Sequence, residues 1–376
     1  MQKPNINFEN LDGLRFICFL SVFLFHSFHT NYEYIKEEPV YSFVKWNLFG
    51  NGNLGVNFFF VLSGFLITYL LLKEKEFFGR INIISFWKRR ILRIWPLFYF
   101  CVFFGFVIFP LIKSIFGQTP NETANLNYYI LFLNNFDFIR NGLPDASILG
   151  VLWSVAIEEQ FYLIWPLIVY FFSPRTFFFL ILFIIAGSIV FRSFYFDNYN
   201  EIEYSTFSCI GDLAMGSFGA LLTQKTEIKN WIVNLNIIII IMIYCCLIVL
   251  FLFRKEIYAC LGIFKMMERT WISILFLMVI LEQSYAKHSF FKMSNLKVFS
   301  RLGIISYGLY CLHFIGILAA TTITSIMGWN KFLWQVIFLE TFMALALTIF
   351  FSKMSYLYFE LPFLRINRRL SRFTKD

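Results

Sequence analysis

Two constellations in this chain have residue types and spacings that could do chemistry. Arg15 and His26 stand eleven residues apart, close to three helical turns, so on one helix they share a face about 16 Å apart along the axis. His29 follows one turn later. Further on, the stretch Leu152-Trp153-Ser154-Val155-Ala156-Ile157-Glu158-Glu159-Gln160-Phe161-Tyr162 sets two adjacent carboxylates in apolar surroundings. Neighbours on a helix point about 100° apart, so Glu158 and Glu159 face different ways. Ser154 and Tyr162 fall on the Glu158 face. A carboxylate within reach of an imidazole orients it and raises its basicity, which is what a general base needs. The expectation is a catalytic His26 oriented by Glu158 or Glu159; a buried ion pair that only joins helices is the alternative.

A third constellation is basic. Phe86-Trp87-Lys88-Arg89-Arg90-Ile91-Leu92-Arg93-Ile94-Trp95-Pro96 places Arg90 and Arg93 one turn apart at the start of an apolar run. Guanidinium pairs bind phosphate in a two-pronged geometry, so Arg90 and Arg93, with Arg89 and Arg15, are candidates for a phosphate-bearing ligand. Ordinary anchoring of Lys and Arg at a membrane boundary accounts for part of the run. Ser306, Tyr307, Tyr310 and His313 fall in one apolar run, with Ser306 and His313 seven apart on one face and Tyr310 between them, and fit either a cavity wall or a packing network. Asp212 is an acid in an apolar run with no evident local partner, and Ser63 lies in a Gly-rich helix where small residues allow close contact. No cysteine pattern has metal-ligand spacing, and no metal is expected.

Such groups need elements to hold them, and the composition says what kind. Of 376 residues, 59% are hydrophobic and 15% charged, against about 25% charged in a soluble domain. The apolar surplus lies in runs of roughly 20 residues, the length of a membrane crossing. The reading is an all-α integral membrane protein, a polytopic bundle forming one domain over 1–376, with spans near 14–30, 53–72, 92–112, 151–172, 176–195, 206–223, 231–252, 270–285, 303–325 and 333–354. The first, sixth and eighth are the weakest. An ionisable group inside such a span costs at least about 2.5–3.5 kcal/mol on insertion scales, so each one above requires a reason.

The net charge of +9 comes from positives at helix ends rather than from a nucleic-acid surface. Lys73, Lys75, Arg80, Lys88, Arg89, Arg90 and Arg93 fall between the second and third spans. Lys225, Lys229, Lys287, Lys292, Lys297 and Arg301 fall on the same side, as does a basic tail from about 356 to 376. The bias puts both termini in the cytoplasm; Arg254, Lys255, Lys265 and Arg269 are the misfit. The first apolar run has no small-residue cleavage site, so no signal peptide is expected. The long connection over 113–150 is expected on the outer side, where it could cover a cavity.

Taken in order, several stretches resemble the membrane-bound acyltransferase-3 family. They are Leu11-Asp12-Gly13-Leu14-Arg15 with His26 downstream, Gly55 to Phe65 with its Ser63-Gly64 step, and Arg90-Ile91-Leu92-Arg93. Trp153-Ser154 with Glu158-Glu159-Gln160-Phe161-Tyr162, Ser306-Tyr307-Gly308-Leu309-Tyr310 with His313, and Glu360-Leu361-Pro362-Phe363 complete the series. The resemblance implies transfer of an acyl group, usually acetyl, from cytoplasmic acyl-CoA as donor substrate to a carbohydrate hydroxyl, with no permanently bound cofactor. It gives His26, Arg15, Arg90 and Arg93 the functional positions. It also implies a bacterial cytoplasmic membrane, with membrane lipids and a surface polysaccharide or glycolipid as partners. Many members add a periplasmic hydrolase-like domain. This chain ends about twenty residues after its last span, so the stand-alone type is expected. Direct transfer and a covalent acyl-histidine relay both fit. The acceptor stays open among lipopolysaccharide, exopolysaccharide, peptidoglycan, periplasmic glucan and small glycosides. The competing class is a proton-coupled transporter or flippase, which also uses buried His, Glu and Arg.

Overall fold

A computed structural model describes residues 8–260 and 262–370. Among these there is no strand. Ten long helices alternate in direction: α1 (Glu9–His26), α2 (Leu54–Phe78), α3 (Ile83–Ile115), α4 (Ser147–Phe171), α5 (Pro174–Phe194), α6 (Tyr199–Leu222), α7 (Ile237–Ile257), α8 (Glu268–Tyr285), α9 (Ser306–Met327) and α10 (Gln335–Ile366). Eight are long and apolar enough to cross a membrane. The other two, α1 and α8, each carry three charged residues: Glu9, Asp12 and Arg15 in one, Glu268, Arg269 and Glu282 in the other. Backbone hydrogen bonds close within each helix, which is what lets the chain sit in hydrocarbon. The protein is a multi-pass membrane protein.

α2 stands at the centre, with 78% of its most apolar stretch buried, whereas α7 keeps 11% and faces outward. Large apolar side chains such as Phe183, Phe194, Ile248 and Phe350 point away from the bundle. With lipid as solvent there is little hydrophobic gain between helices, so close approach does the packing. Gly64 of α2 lies against the Leu213 backbone of α6, and Gly216 of α6 lies against the Val61 backbone of α2. Thr68 donates to Ser217 across the same seam at 2.8 Å. Gly55 rests on the Cys18 carbonyl of α1, where an added Cβ would stand 2.5 Å away.

Three expectations change. α3 begins at Ile83, not near 92, because Asn82 caps it by accepting from the Ser85 N–H at 3.0 Å. The Arg run is therefore helical, and only a short turn around the left-handed Gly79 separates it from α2. Second, the basic tail from about 356 is helical as far as residue 370. A π-helical turn at Ser355–Glu360 carries the chain into helix Leu361–Leu370, which packs on α3. Arg372 and Lys375 lie outside the described residues. Third, Arg254 and Arg269 misfit the charge bias because both are paired: Arg254 with Glu268 at 2.7 Å, and Arg269 with Asp212 at 2.7 Å and Glu203 at 3.6 Å.

One end of the bundle, the terminal face, carries the start of α1, the α2–α3 turn and the start of α9. The opposite face carries 27–53 and 116–146. The latter segment folds into short helices, Leu126–Ile130 and Asn134–Asn141 among them. Lys113 Nζ holds Asp145 there at 2.8 Å.

Candidate active site

The helix-start sequence motifs converge on a cavity of about 290 Å³ that opens toward the terminal face. α1 supplies Asp12 and Arg15, α2 supplies Phe59 and Ser63, α3 supplies Arg90 and Arg93, α4 supplies Ser154, Glu158 and Tyr162, and α9 supplies Ser306, Tyr307 and Tyr310. Three guanidinium groups thus face two carboxylates. Arg15 is ion-paired with Asp12 one turn earlier on its own helix. Arg90 lies over the rings of Phe86 and Tyr162 at 5.6 and 5.5 Å, a cation–π arrangement. Its Nε is buried without a hydrogen-bond partner, a costly condition that an anionic ligand would relieve. Arg93 neighbours Glu360, which accepts from Ser355 at 2.9 Å. Gly308 leaves room for that carboxylate, since a Cβ there would stand 3.1 Å from Glu360 Oε1. This explains how the Glu-x-Pro-Phe and Ser-Tyr-Gly-Leu-Tyr motifs meet.

The hydroxyls form a chain along the wall. Ser63 and Tyr162 share a short hydrogen bond beside Glu158. Ser154 and Tyr310 share one of 2.8 Å, and Tyr307 donates to the Ile94 carbonyl at 2.8 Å.

His26 ends α1 beyond this cavity, and its partner is not a carboxylate. Its Nδ1 lies 3.0 Å from Nε2 of His313, with the ring planes within 24° of each other and the centroids 5.1 Å apart. Phe314 packs on His26 at 4.8 Å. The expected orientation of His26 by Glu158 or Glu159 is thus corrected. Glu158 faces Ser63, Tyr162 and the arginines. Glu159 turns toward α3, where Trp95 Nε1 donates to it at 2.8 Å, and its other oxygen is buried without a partner. Depth counted along two separate helices does not fix which side chains meet, because it ignores how the helices cross. Asp212, a candidate cavity residue by sequence, lines neither the arginine-lined cavity nor the one at the opposite face. It is buried between α6 and α8, bonded by Arg269 and, at 2.6 Å, by Ser273. Arg89 does not join Arg90 and Arg93, pairing instead with Glu74 at 3.5 Å.

A second cavity, about 660 Å³, opens toward the opposite face. His29, Asn31, Lys113, Gln118, Thr321 and Glu340 give it polar groups, and Phe104, Phe109, Phe116 and Phe314 give it aromatic ones. Glu340 accepts from Thr324 at 2.7 Å through one oxygen. Its second oxygen is buried and unpartnered, as is Asn330 Oδ1. Sequence reading missed Glu340; its signal was a lone carboxylate within the last apolar run. The imidazole pair stands between the two cavities: Tyr310, one turn before His313, lines the first, and Phe314, the next residue, lines the second.

The chain is a multi-pass membrane bundle with an arginine-lined cavity and a separate polar, aromatic cavity on either side of a histidine pair. The family model described as an acyltransferase domain, Acyl_transf_3, matches residues 8–353, and the chain belongs to that family. The O-acetyltransferase OatA of Staphylococcus aureus (strain NCTC 8325 / PS 47) is 29% identical over 247 residues, 61% of this chain and 38% of that protein. The peptidoglycan O-acetyltransferase OatA of Listeria monocytogenes serovar 1/2a is 34% identical over 169 residues, 42% of this chain and 23% of that protein. The matched region is less than half the length of either relative. No solved structure matches the chain.

Proposed function

We propose that the protein is a membrane O-acyltransferase that takes acetyl from acetyl-CoA at the terminal face and delivers it to a carbohydrate hydroxyl at the opposite face. The observation that carries this reading is the histidine pair standing between two cavities of different character. The first, at about 290 Å³, is at the small end of ligand pockets, which run from roughly 300 to 1,000 Å³. It suits the acyl-pantetheine arm, leaving the nucleotide phosphates at the mouth near Arg90 and Arg93. The second, with aromatic walls and hydroxyl- and carboxylate-bearing side chains, suits a sugar. The excess of Lys and Arg on the terminal face favours a cytoplasmic donor side in a bacterial cytoplasmic membrane. The names of the Staphylococcus and Listeria relatives favour acetyl as the group, and the Listeria name favours peptidoglycan as the acceptor.

In the transfer, the acceptor oxygen attacks the thioester carbonyl while His26 takes the hydroxyl proton. The carbon–sulfur bond then breaks, giving an ester and a CoA thiolate that recovers a proton from His26. Ser154 and Tyr310 line the route and can hold the thioester oxygen through O–H donors, while Arg15, about 16 Å from His26 along α1, lies nearer the mouth of the first cavity. Mass spectrometry of ester-linked acyl groups on surface glycans tests the reading in a deletion strain complemented with wild type or His26→Ala. An acyl ester lost on deletion and restored only by wild type is the expected result. Unchanged glycans in the deletion strain would overturn the reading and favour the transporter class.

A further inference from the structure

The hydrogen bonds around His313 determine which nitrogen of His26 is basic. His313 Nδ1 lies 2.6 Å from the carbonyl oxygen of Tyr310, three residues earlier on α9. A carbonyl only accepts, so Nδ1 of His313 carries the proton. A neutral imidazole has one N–H, so His313 Nε2 is bare and can only accept. That nitrogen is the one 3.0 Å from His26 Nδ1. His26 must therefore donate from Nδ1, which leaves its Nε2 unprotonated, and no hydrogen bond to Nε2 exists among the described residues.

We infer that His313 is a positioning residue that fixes the tautomer of His26, with the relay Tyr310 carbonyl–His313–His26 ending in a bare Nε2 aimed at the acceptor hydroxyl. This rests on His26 being the base, as proposed above. The two rings have different access. His313 has no exposed surface and cannot touch substrate, while His26 is only partly buried. His313 thus takes the place that a carboxylate holds in many base-orienting arrangements. A neutral imidazole orients the base and keeps its Nδ1 proton engaged when Nε2 takes up a second one. It does so without burying another charge in the bundle, which is expensive in a membrane interior. The cost is a weaker pull on the His26 proton, which a thioester with a good leaving group tolerates.

The test uses the full-length protein in detergent with acetyl-CoA and a muropeptide acceptor, reading released CoA thiol. His313→Phe keeps a ring in the space but removes both nitrogens. It should lower kcat at least about 100-fold, within the range for general-base catalysis, with KM for acetyl-CoA changed less than about twofold. His313→Gln returns an acceptor near the Nε2 position and should recover at least about tenfold over His313→Phe. An independent readout is the nitrogen-15 spectrum of histidine-labelled protein. With four histidines in the chain, single substitutions assign each ring, and His26 should appear as the Nδ1–H tautomer in wild type. A wild-type His26 protonated on Nε2, or equal loss in His313→Phe and His313→Gln, would overturn the inference. So would a His313→Phe variant with wild-type kcat beside an inactive His26→Ala. Wild-type turnover by His26→Ala would instead overturn the reading on which it rests. If His313→Phe does not fold, the wild-type spectrum decides.

Discussion

Arg90 is held by ring faces rather than by a counter-ion, and its Nε has no partner. A guanidinium kept in this way is poised for an anion arriving from outside. Charge-assisted hydrogen bonds are worth about 1.5–3 kcal/mol, so Arg90→Ala should raise KM for acetyl-CoA by about 10- to 100-fold, with a smaller effect on kcat. Steady-state kinetics over a range of acetyl-CoA concentrations checks this. Glu340 belongs to the other cavity. Removing its unpartnered carboxylate in Glu340→Ala should raise KM for the acceptor and leave KM for acetyl-CoA unchanged, measured with the same assay. At this scale the sequence showed which residues matter better than it showed their partners. Arg15, Arg90, Arg93, Glu158 and Tyr310 were legible because an ionisable or hydroxyl group in an apolar run needs a reason. The pairing of His26 with His313 was not, because it depends on how α1 and α9 cross. Each histidine stands out in its own apolar run, but 287 residues separate them, and no spacing rule connects two helices.

The helices themselves were legible from runs of about 20 apolar residues: a helix lies at each of the ten places, and eight of them are long and apolar enough to cross a membrane. Their ends were less so. The start of α3 reads as an anchoring loop because its first turns are basic, yet Asn82 caps it and the Arg side chains project from a helix. The fold of 116–146 was hidden because its helices are short and polar, held by side-chain bonds such as Lys113 to Asp145 rather than by apolar periodicity. Asp145 shows how that anchor responds to pH. Burial alone would raise its pKa, but the Lys113 ammonium and the Asn121 N–H outweigh it and hold the carboxyl below its usual range. A carboxylate depressed on folding stabilises above its unfolded value and loses that contribution as pH falls through the folded one. The segment should thus stay anchored at neutral pH and loosen only below about pH 4. Asp145→Asn should loosen it at neutral pH, seen as faster limited proteolysis between residues 116 and 146. On α6 and α8, Arg269 is the ion-pair partner of both Asp212 and Glu203. Arg269→Met leaves two buried acids unpaired, and breaking a buried pair costs about 3–5 kcal/mol. Thermal unfolding in detergent should show a large loss of stability, without any change in the arginine-lined cavity.

Across the whole molecule, the features divide by face. Basic side chains, the α2–α3 turn and the first cavity gather at the terminal face. The second cavity and the segments 27–53 and 116–146, which supply part of its lining, gather at the opposite face, with two imidazoles between. Neither cavity alone explains this division, and a protein that used both ligands from one side would have no need of it. Transfer from one face to the other is therefore the central claim. The most direct measurement uses proteoliposomes of uniform orientation, with labelled acetyl-CoA outside at the arginine face and a muropeptide acceptor sealed inside. The account predicts labelled ester on the enclosed acceptor, CoA thiol appearing outside, and neither product with His26→Ala. Ester formed only when acetyl-CoA and acceptor share one side of the membrane would contradict it.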